Sequence, residues 1–103
     1  MKKKILITGS SGFLGNLAKD YFAKNYDLVL VDLHDINDAN FYKADISNFD
    51  EIDHVVTKEK PNIIFHFASE IFDTHDRKKI YKTNVVGSKN IERSAIKNNV
   101  KNL

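Results

Sequence analysis

Thr8-Gly9-Ser10-Ser11-Gly12-Phe13-Leu14-Gly15 is the stretch on which the fold turns, and it holds three of the chain's 4 glycines. It follows a short β-branched run, Lys4 to Thr8, of the kind expected for a strand buried on both faces. It opens a helical pattern in which Phe13, Leu14, Leu17, Ala18, Tyr21 and Phe22 are read as one apolar face. In a strand–loop–helix of this kind Gly9 lets the strand turn sharply and Gly12 lets backbone approach a pyrophosphate. Gly15 lets the helix pack closely on the strand. The helix N-terminus then offers N–H groups and a partial positive charge to phosphates. The plain alternative is an ordinary strand-to-helix turn with spare glycines. Their concentration in one octet speaks against it.

Outward from the octet, Asp27-Leu28-Val29-Leu30-Val31-Asp32 is a second apolar run closed by an acid. A carboxylate at the end of that strand can accept hydrogen bonds from adenosine ribose hydroxyls. Asp32 would also repel a 2′-phosphate, and arginine occurs only at positions 77 and 93, so NAD is favoured over NADP. A solvated strand-end aspartate is the plain alternative. A polar stretch, His34 to Asn40, leads to a weaker strand at Phe41 to Ala44. Ser47 or Asn48 caps a helix over 49–59 with Phe49, Ile52, Val55 and Val56 inward. Pro61 ends it and opens a fourth run, Asn62 to Phe67. From Asp73 or Thr74 a long helix is expected to about Asn98, with Ile80, Asn84, Gly87, Ile91 and Ala95 on one face and lysines mostly opposite. Val100 to Leu103 reads as the opening of a fifth strand. This beat predicts an α/β, Rossmann-type parallel sheet with helices on both faces, ordered 3-2-1-4 and cut short after the start of strand five. No linker or repeat divides residues 1–103, which read as one domain.

Four segments in register then resemble the extended short-chain dehydrogenase/reductase family, the NAD-dependent sugar epimerases and dehydratases. They are Thr8 to Gly15, Asp45-Ile46, His66-Phe67-Ala68-Ser69, and Asn84-Val85-Val86-Gly87-Ser88-Lys89-Asn90. The resemblance covers nearly the whole chain and implies NAD as cofactor. It implies contacts from Gly9, Gly12, Phe13, Leu14, Gly15 and Asp32. It further implies that the Asp45 carboxylate and the backbone at Ile46 recognise the adenine, that Phe67, Ala68 and Ser69 line the cofactor, and that Asn84 lies near the nicotinamide. Each segment has a plainer reading. Asp45 alone would be a loop-capping carboxylate, His66 a satisfied core histidine, and Ser69 a close-packing residue rather than a nucleophile. Gly87, costly in mid-helix, suggests a close approach of helix to sheet.

The family's chemistry rests on a Tyr-x-x-x-Lys pair, with the tyrosine as general acid or base. Four places after Tyr21, Tyr26, Tyr42 and Tyr81 stand Asn25, Leu30, Ile46 and Val85, and none is lysine. No catalytic residue and no metal ligand is therefore named. The resemblance implies the NAD-binding N-terminal part of a nucleotide-sugar epimerase or dehydratase, inactive alone, whose catalytic and substrate-binding parts lie elsewhere. A non-catalytic dinucleotide-binding or regulatory module of the same fold is the alternative.

Composition sets outer bounds. Hydrophobic residues at 42% and charged residues at 29% describe a globular chain. A net charge of +2 without a long basic run does not favour nucleic acid. Zero cysteines exclude a disulfide scaffold and a thiolate zinc site, in keeping with the cytoplasm. After Met1-Lys2-Lys3-Lys4 only Ile5, Leu6 and Ile7 are apolar before Thr8, too few for a secretory signal, and no run is long enough to span a bilayer. The fourth strand, lacking a full fifth neighbour, is expected to drive self-association or to recruit a C-terminal partner segment.

Overall fold

The apolar runs pair where their length and β-branching require, and hydrophobic alternation sorts their side chains onto two sheet faces. The computed structural model describes residues 2–33, 40–67 and 77–102. Four parallel strands, β1 (Lys4–Thr8), β2 (Asp27–Asp32), β3 (Phe41–Lys43) and β4 (Ile63–His66), form one sheet in the order β3-β2-β1-β4. Register is regular, with Leu6 beside Val29 on one side and Ile64 on the other. Hydrogen bonds continue past the formal strand ends. Asn62 N–H donates to the Lys4 carbonyl, Phe67 N–H to the Thr8 carbonyl, and Ala44 N–H to the Asp32 carbonyl. The expected spans 62–67 and 41–44 are thus the extent of the ladder.

One face of the sheet carries Leu6, Val29, Val31 and Ile64. It is sealed by α2 (Phe49–Glu59) through Ile52, Val55 and Val56, and by α4 (Gly87–Lys97) through Ile91 and Ala95. Asn48 caps α2 by accepting the Glu51 N–H. Lys60, in the left-handed region at φ 48°, closes it before Pro61. The α2–α4 seam is polar at its rim. Asp53 accepts from the Ser94 hydroxyl at 2.8 Å and from Lys97 at 2.6 Å, while the Arg93 guanidinium lies 3.9 Å from the Phe49 ring centre. Lys97, expected among the lysines of the solvated side, and Arg93 therefore both engage the neighbouring helix.

The other face carries Ile5, Ile7 and Leu30 under α1 (Phe13–Phe22). Phe22 stacks on Phe65, with ring centres 5.2 Å apart, and Phe65 on Phe67 at 6.0 Å. Here one expectation is corrected. Gly15, Ala18 and Phe22 turn toward the sheet, whereas Phe13 (80% exposed), Leu14, Leu17 and Tyr21 (79% exposed) face outward. Together with Gly15, those six apolar positions span more of the helix circumference than a single strand layer can cover. The sheet takes one edge of the stripe and leaves the rest open.

Before α4 the chain forms α3 (Arg77–Tyr81) and one π-helical turn, Lys82–Val86. The expected start of this long helix at Asp73 or Thr74 lies outside the described residues. The expected fifth strand is present as a single parallel bridge, Ile63 to Asn102, in which Ile64 N–H donates to the Asn102 carbonyl. Val100 packs on the core beside it.

Candidate cofactor site

At the carboxyl end of β1 the backbone turns through Gly9, whose φ of 68° is open to glycine and strained for other residues. The Gly12 N–H closes the turn on the Gly9 carbonyl at 3.1 Å. The two remaining glycines of the octet then part company. A Cβ on Gly15 would lie 2.2 Å from the Gly9 oxygen and 2.8 Å from the Ser10 Cα, so the helix can seat on the turn only with glycine there. The close approach is to the turn rather than to the strand. A Cβ on Gly12 would meet only the Gly9 oxygen, at an ordinary 3.4 Å, and the backbone of Gly12 is extended, a conformation any residue adopts. The fold itself asks for glycine at 15 and leaves a cradle at 12.

Gly12 is also the N-cap of α1, which has no side-chain cap and no acid in its first turn. The positive end of the helix therefore points into the cradle with no side-chain cap of its own. Asn16, whose amide donates to the carbonyls of both Ser11 and Gly12 at 3.0 Å, holds the loop from the first helical turn. Asp32, at the end of β2, reaches across to the same loop. Its Oδ2 accepts from the Ser11 N–H at 3.0 Å and the Ser11 hydroxyl at 2.6 Å. Two strands and a helix start thus converge on one rim, the crevice at the carboxyl ends of a parallel sheet where ligands of such folds bind. Phe13 and Leu14 begin α1 on the exposed side of that rim.

A second arm of the rim follows β3. Asp45 Oδ1 accepts from the Ser47 N–H and hydroxyl at 2.9 and 2.7 Å, and the Asp45 N–H donates to Glu51. The loop-capping role is therefore real, whatever else the carboxylate does. The Ile46 side chain is buried in the α2–α4 core, leaving only its backbone toward the rim. A Cβ on Gly87 would lie 2.6–2.7 Å from the end of that side chain, so the close approach expected of Gly87 is to Ile46 and not to a strand.

The third arm is a relay of hydrogen bonds across β1, β4 and the π-helical turn. The Ser88 hydroxyl donates to the Asn84 carbonyl at 2.7 Å, which spends its only proton, so it accepts from His66 Nε2–H at 3.0 Å. His66 Nδ1 then accepts from the Thr8 hydroxyl at 2.7 Å, and that oxygen accepts the Phe67 N–H at 3.1 Å. The pattern fits a neutral imidazole, and burial pushes the His66 pKa below its ordinary value of 6.5. His66 is the satisfied histidine of the plainer reading. Among the expected cofactor residues, Gly9, Gly12, Phe13, Leu14, Gly15, Asp32, Asp45, Ile46, Phe67 and Asn84 are all placed along this end of the sheet. Ala68 and Ser69 lie outside the described residues. Ser11, Ser88 and Asn90 stand inside the segments quoted from the sequence but were given no role of their own, and Asn16 was not singled out. A polar residue one helical turn after Gly12 was the available signal for Asn16.

Residues 5–103 match the family model described as the NAD dependent epimerase/dehydratase family. A UDP-glucose 4-epimerase from Mycoplasma genitalium is 27% identical over 94% of this chain, covering 33% of that protein. A CDP-paratose 2-epimerase from Salmonella typhi is 32% identical over 66% of this chain, covering 24% of its own length. Among solved structures, the Bordetella bronchiseptica enzyme WbmG in complex with NAD and UDP superposes with a TM-score of 0.88 at 23% identity. It covers 99% of this chain and 37% of its own. The chain thus spans about a third of the length of the proteins it resembles.

Proposed function

Since this chain belongs to the NAD dependent epimerase/dehydratase family, we propose that it binds NAD at the carboxyl end of its sheet and forms the cofactor-holding part of an enzyme acting on a nucleotide-activated sugar. The observation that carries this reading is Gly12. The fold does not need glycine there, yet the residue leaves an open cradle at an uncapped helix N-terminus beside Asp32. In this reading the loop and the α1 N-terminus hold the pyrophosphate. Asp32, already oriented by Ser11, takes the adenosine ribose hydroxyls and discriminates against a 2′-phosphate. Asp45 and the Ile46 backbone recognise the adenine, Phe67, Ala68 and Ser69 line the cofactor, and Asn84 lies near the nicotinamide. When bound, NAD supplies a hydride acceptor and donor. No tyrosine of this sequence is followed four places on by lysine, so turnover by the chain alone is not expected.

Isothermal titration tests the reading. The unmutated chain should take up NAD⁺, and Gly12→Val, which fills the cradle, should abolish the heat while circular dichroism stays unchanged. A folded, unmutated chain that gives no heat with NAD⁺ refutes the proposal. Asp32→Ala combined with Leu33→Arg should move preference toward NADP⁺. Equal affinity of the unmutated chain for both cofactors would remove Asp32 from the specificity role.

Among the described residues no helix is long and apolar enough to cross a membrane. A cytoplasmic setting is proposed from the absence of cysteine, and no nucleic-acid partner is proposed. Partner chemistry is proposed from α1. Its outward Phe13, Leu14, Leu17 and Tyr21 extend a sheet face that α1 covers alone among the described helices. A C-terminal segment, or a second copy of the chain, would bury them.

A further inference from the structure

One helical turn touches two arms of the site at once. On α4, Ser88 meets His66 at the end of β4, and two residues on, Asn90 turns its side chain the other way. The Asn90 amide nitrogen donates to the Ile46 carbonyl at 2.9 Å, bridging from the helix to the loop after β3. Gly87, one turn earlier on α4, sits so close to Ile46 that a methyl group would overlap it. The Ile46 side chain is fixed in the core, and the peptide between Ile46 and Ser47 is held at both ends: Asn90 donates to its carbonyl, and its N–H donates to Asp45 Oδ1 at 2.9 Å. Asp45 has its own ties, to Ser47 and Glu51, but those lie within the loop and α2. The Asn90 hydrogen bond comes instead from the helix that also holds His66.

We infer that Asn90 is a positioning residue for recognition of the adenine base, acting on the Asp45 carboxylate through the peptide between Ile46 and Ser47 and not by touching the cofactor. The inference rests on the NAD reading above and deepens it at one end of the site. Adenine is distinguished from other purines by its 6-amino group and N1 acceptor, which call for an acceptor and a donor at fixed spacing. The Asp45 carboxylate supplies the acceptor and the Ile46 N–H the donor, and the carboxylate takes its orientation from the peptide that Asn90 holds, through the Ser47 N–H. Loss of the Asn90 hydrogen bond releases the oxygen end of that peptide, and the Asp45 carboxylate bonded to its nitrogen end can shift with it. It should therefore erode discrimination between bases more than it erodes the fold.

The test compares NAD⁺ with nicotinamide hypoxanthine dinucleotide, which differs only in carrying an oxo group and an N1 proton where adenine has its amino group and bare N1. In the unmutated chain NAD⁺ should bind more tightly by about three- to tenfold or more, the range of one or two hydrogen bonds. In Asn90→Ala that ratio should fall to within about twofold of unity. Asn90→Gln, which keeps an amide donor, should retain part of it and serves as the readable variant if alanine fails to fold. A role in stability alone would lower the melting temperature and leave the ratio untouched, which would overturn the inference. No discrimination by the unmutated chain, with NAD⁺ bound, would overturn it as well, by removing the adenine contact that Asn90 is said to position. No NAD⁺ binding by the unmutated chain would instead be the failure of the cofactor reading itself.

Discussion

At the residue scale the glycines separate structure from ligand. Gly15→Ala would drive a methyl group into backbone, at 2.2 Å from the Gly9 oxygen, and backbone cannot yield as a flexible side chain can. A loss of about 2–3 kcal/mol is expected, or a melting temperature lower by roughly 10–20 °C. Gly12→Ala meets nothing closer than 3.4 Å and should leave stability within about 0.5 kcal/mol while weakening NAD⁺ binding. Parallel thermal melts and titrations check both. Equal destabilisation by the two substitutions would mean that the cradle at Gly12 serves the fold.

His66 gives a second prediction at this scale, with a definite sign. Its folded-state pKa is depressed by burial, so below about pH 6.5 the unfolded chain takes up a proton that the folded chain resists. Stability from this group is present above pH 6.5 and is lost as pH falls toward the folded value. Glu59 loses its contribution in a separate and more acidic window. The Tyr42 hydroxyl first, then Lys4, hold its carboxyl below the ordinary 4.5. Urea titrations at pH 7.5 and 5.5 should show a fall in stability for the unmutated chain and a flatter response for His66→Gln. Parallel responses would exclude His66 as the source.

At the scale of elements, caps and ladders decided the boundaries. Asn48 holds the α2 N-terminus through the Glu51 N–H, and Asn48→Ala should cost about 1 kcal/mol, read as a fall of roughly 4–8 °C in melting temperature. The span 49–59 was legible because its cap, its period and Pro61 all agree. The last helix was legible as a helix but not as an interrupted one. Its π-helical turn at Lys82–Val86 leaves no mark in the apolar period, and the Ser88 hydroxyl bonded to the Asn84 carbonyl is a contact at ordinary helical spacing. The polar residues of the site divide the same way. Asp32 was legible from its place after an apolar run. The contacts of Ser11 and Asn90 were not, although both stand in the quoted segments, because their partners Asp32 and Ile46 lie far away in sequence.

At the scale of the whole molecule, one sheet face is sealed by two helices and the other is covered by α1 alone among the described helices. The chain should therefore associate at high concentration through the α1 side. Sedimentation at about 100 μM should show species larger than a monomer. Replacing Leu17 and Tyr21 with serine, both outward and outside the glycine loop, should restore the monomer without lowering the melting temperature. A monomer in the unmutated chain would end this proposal. The β4 edge is a weaker candidate for that contact than its sequence suggested, because Asn102 already pairs with Ile63 and Ile64.

What the sequence by itself determined is the order of elements, the parallel sheet and the glycine loop. These follow from apolar period, from glycine's freedom at φ 68° in Gly9, and from the carboxylate that ends the second strand. Such signals are local, carried by residues within one strand or helical turn of each other. Only the tertiary structure decided which side of α1 is buried, that Gly87 clears space for Ile46, that Ser11 orients Asp32, and that His66 is held neutral between Thr8 and Ser88. Each of those depends on two segments distant in sequence meeting within a few ångströms. Period and spacing within a segment carry no information about such a meeting.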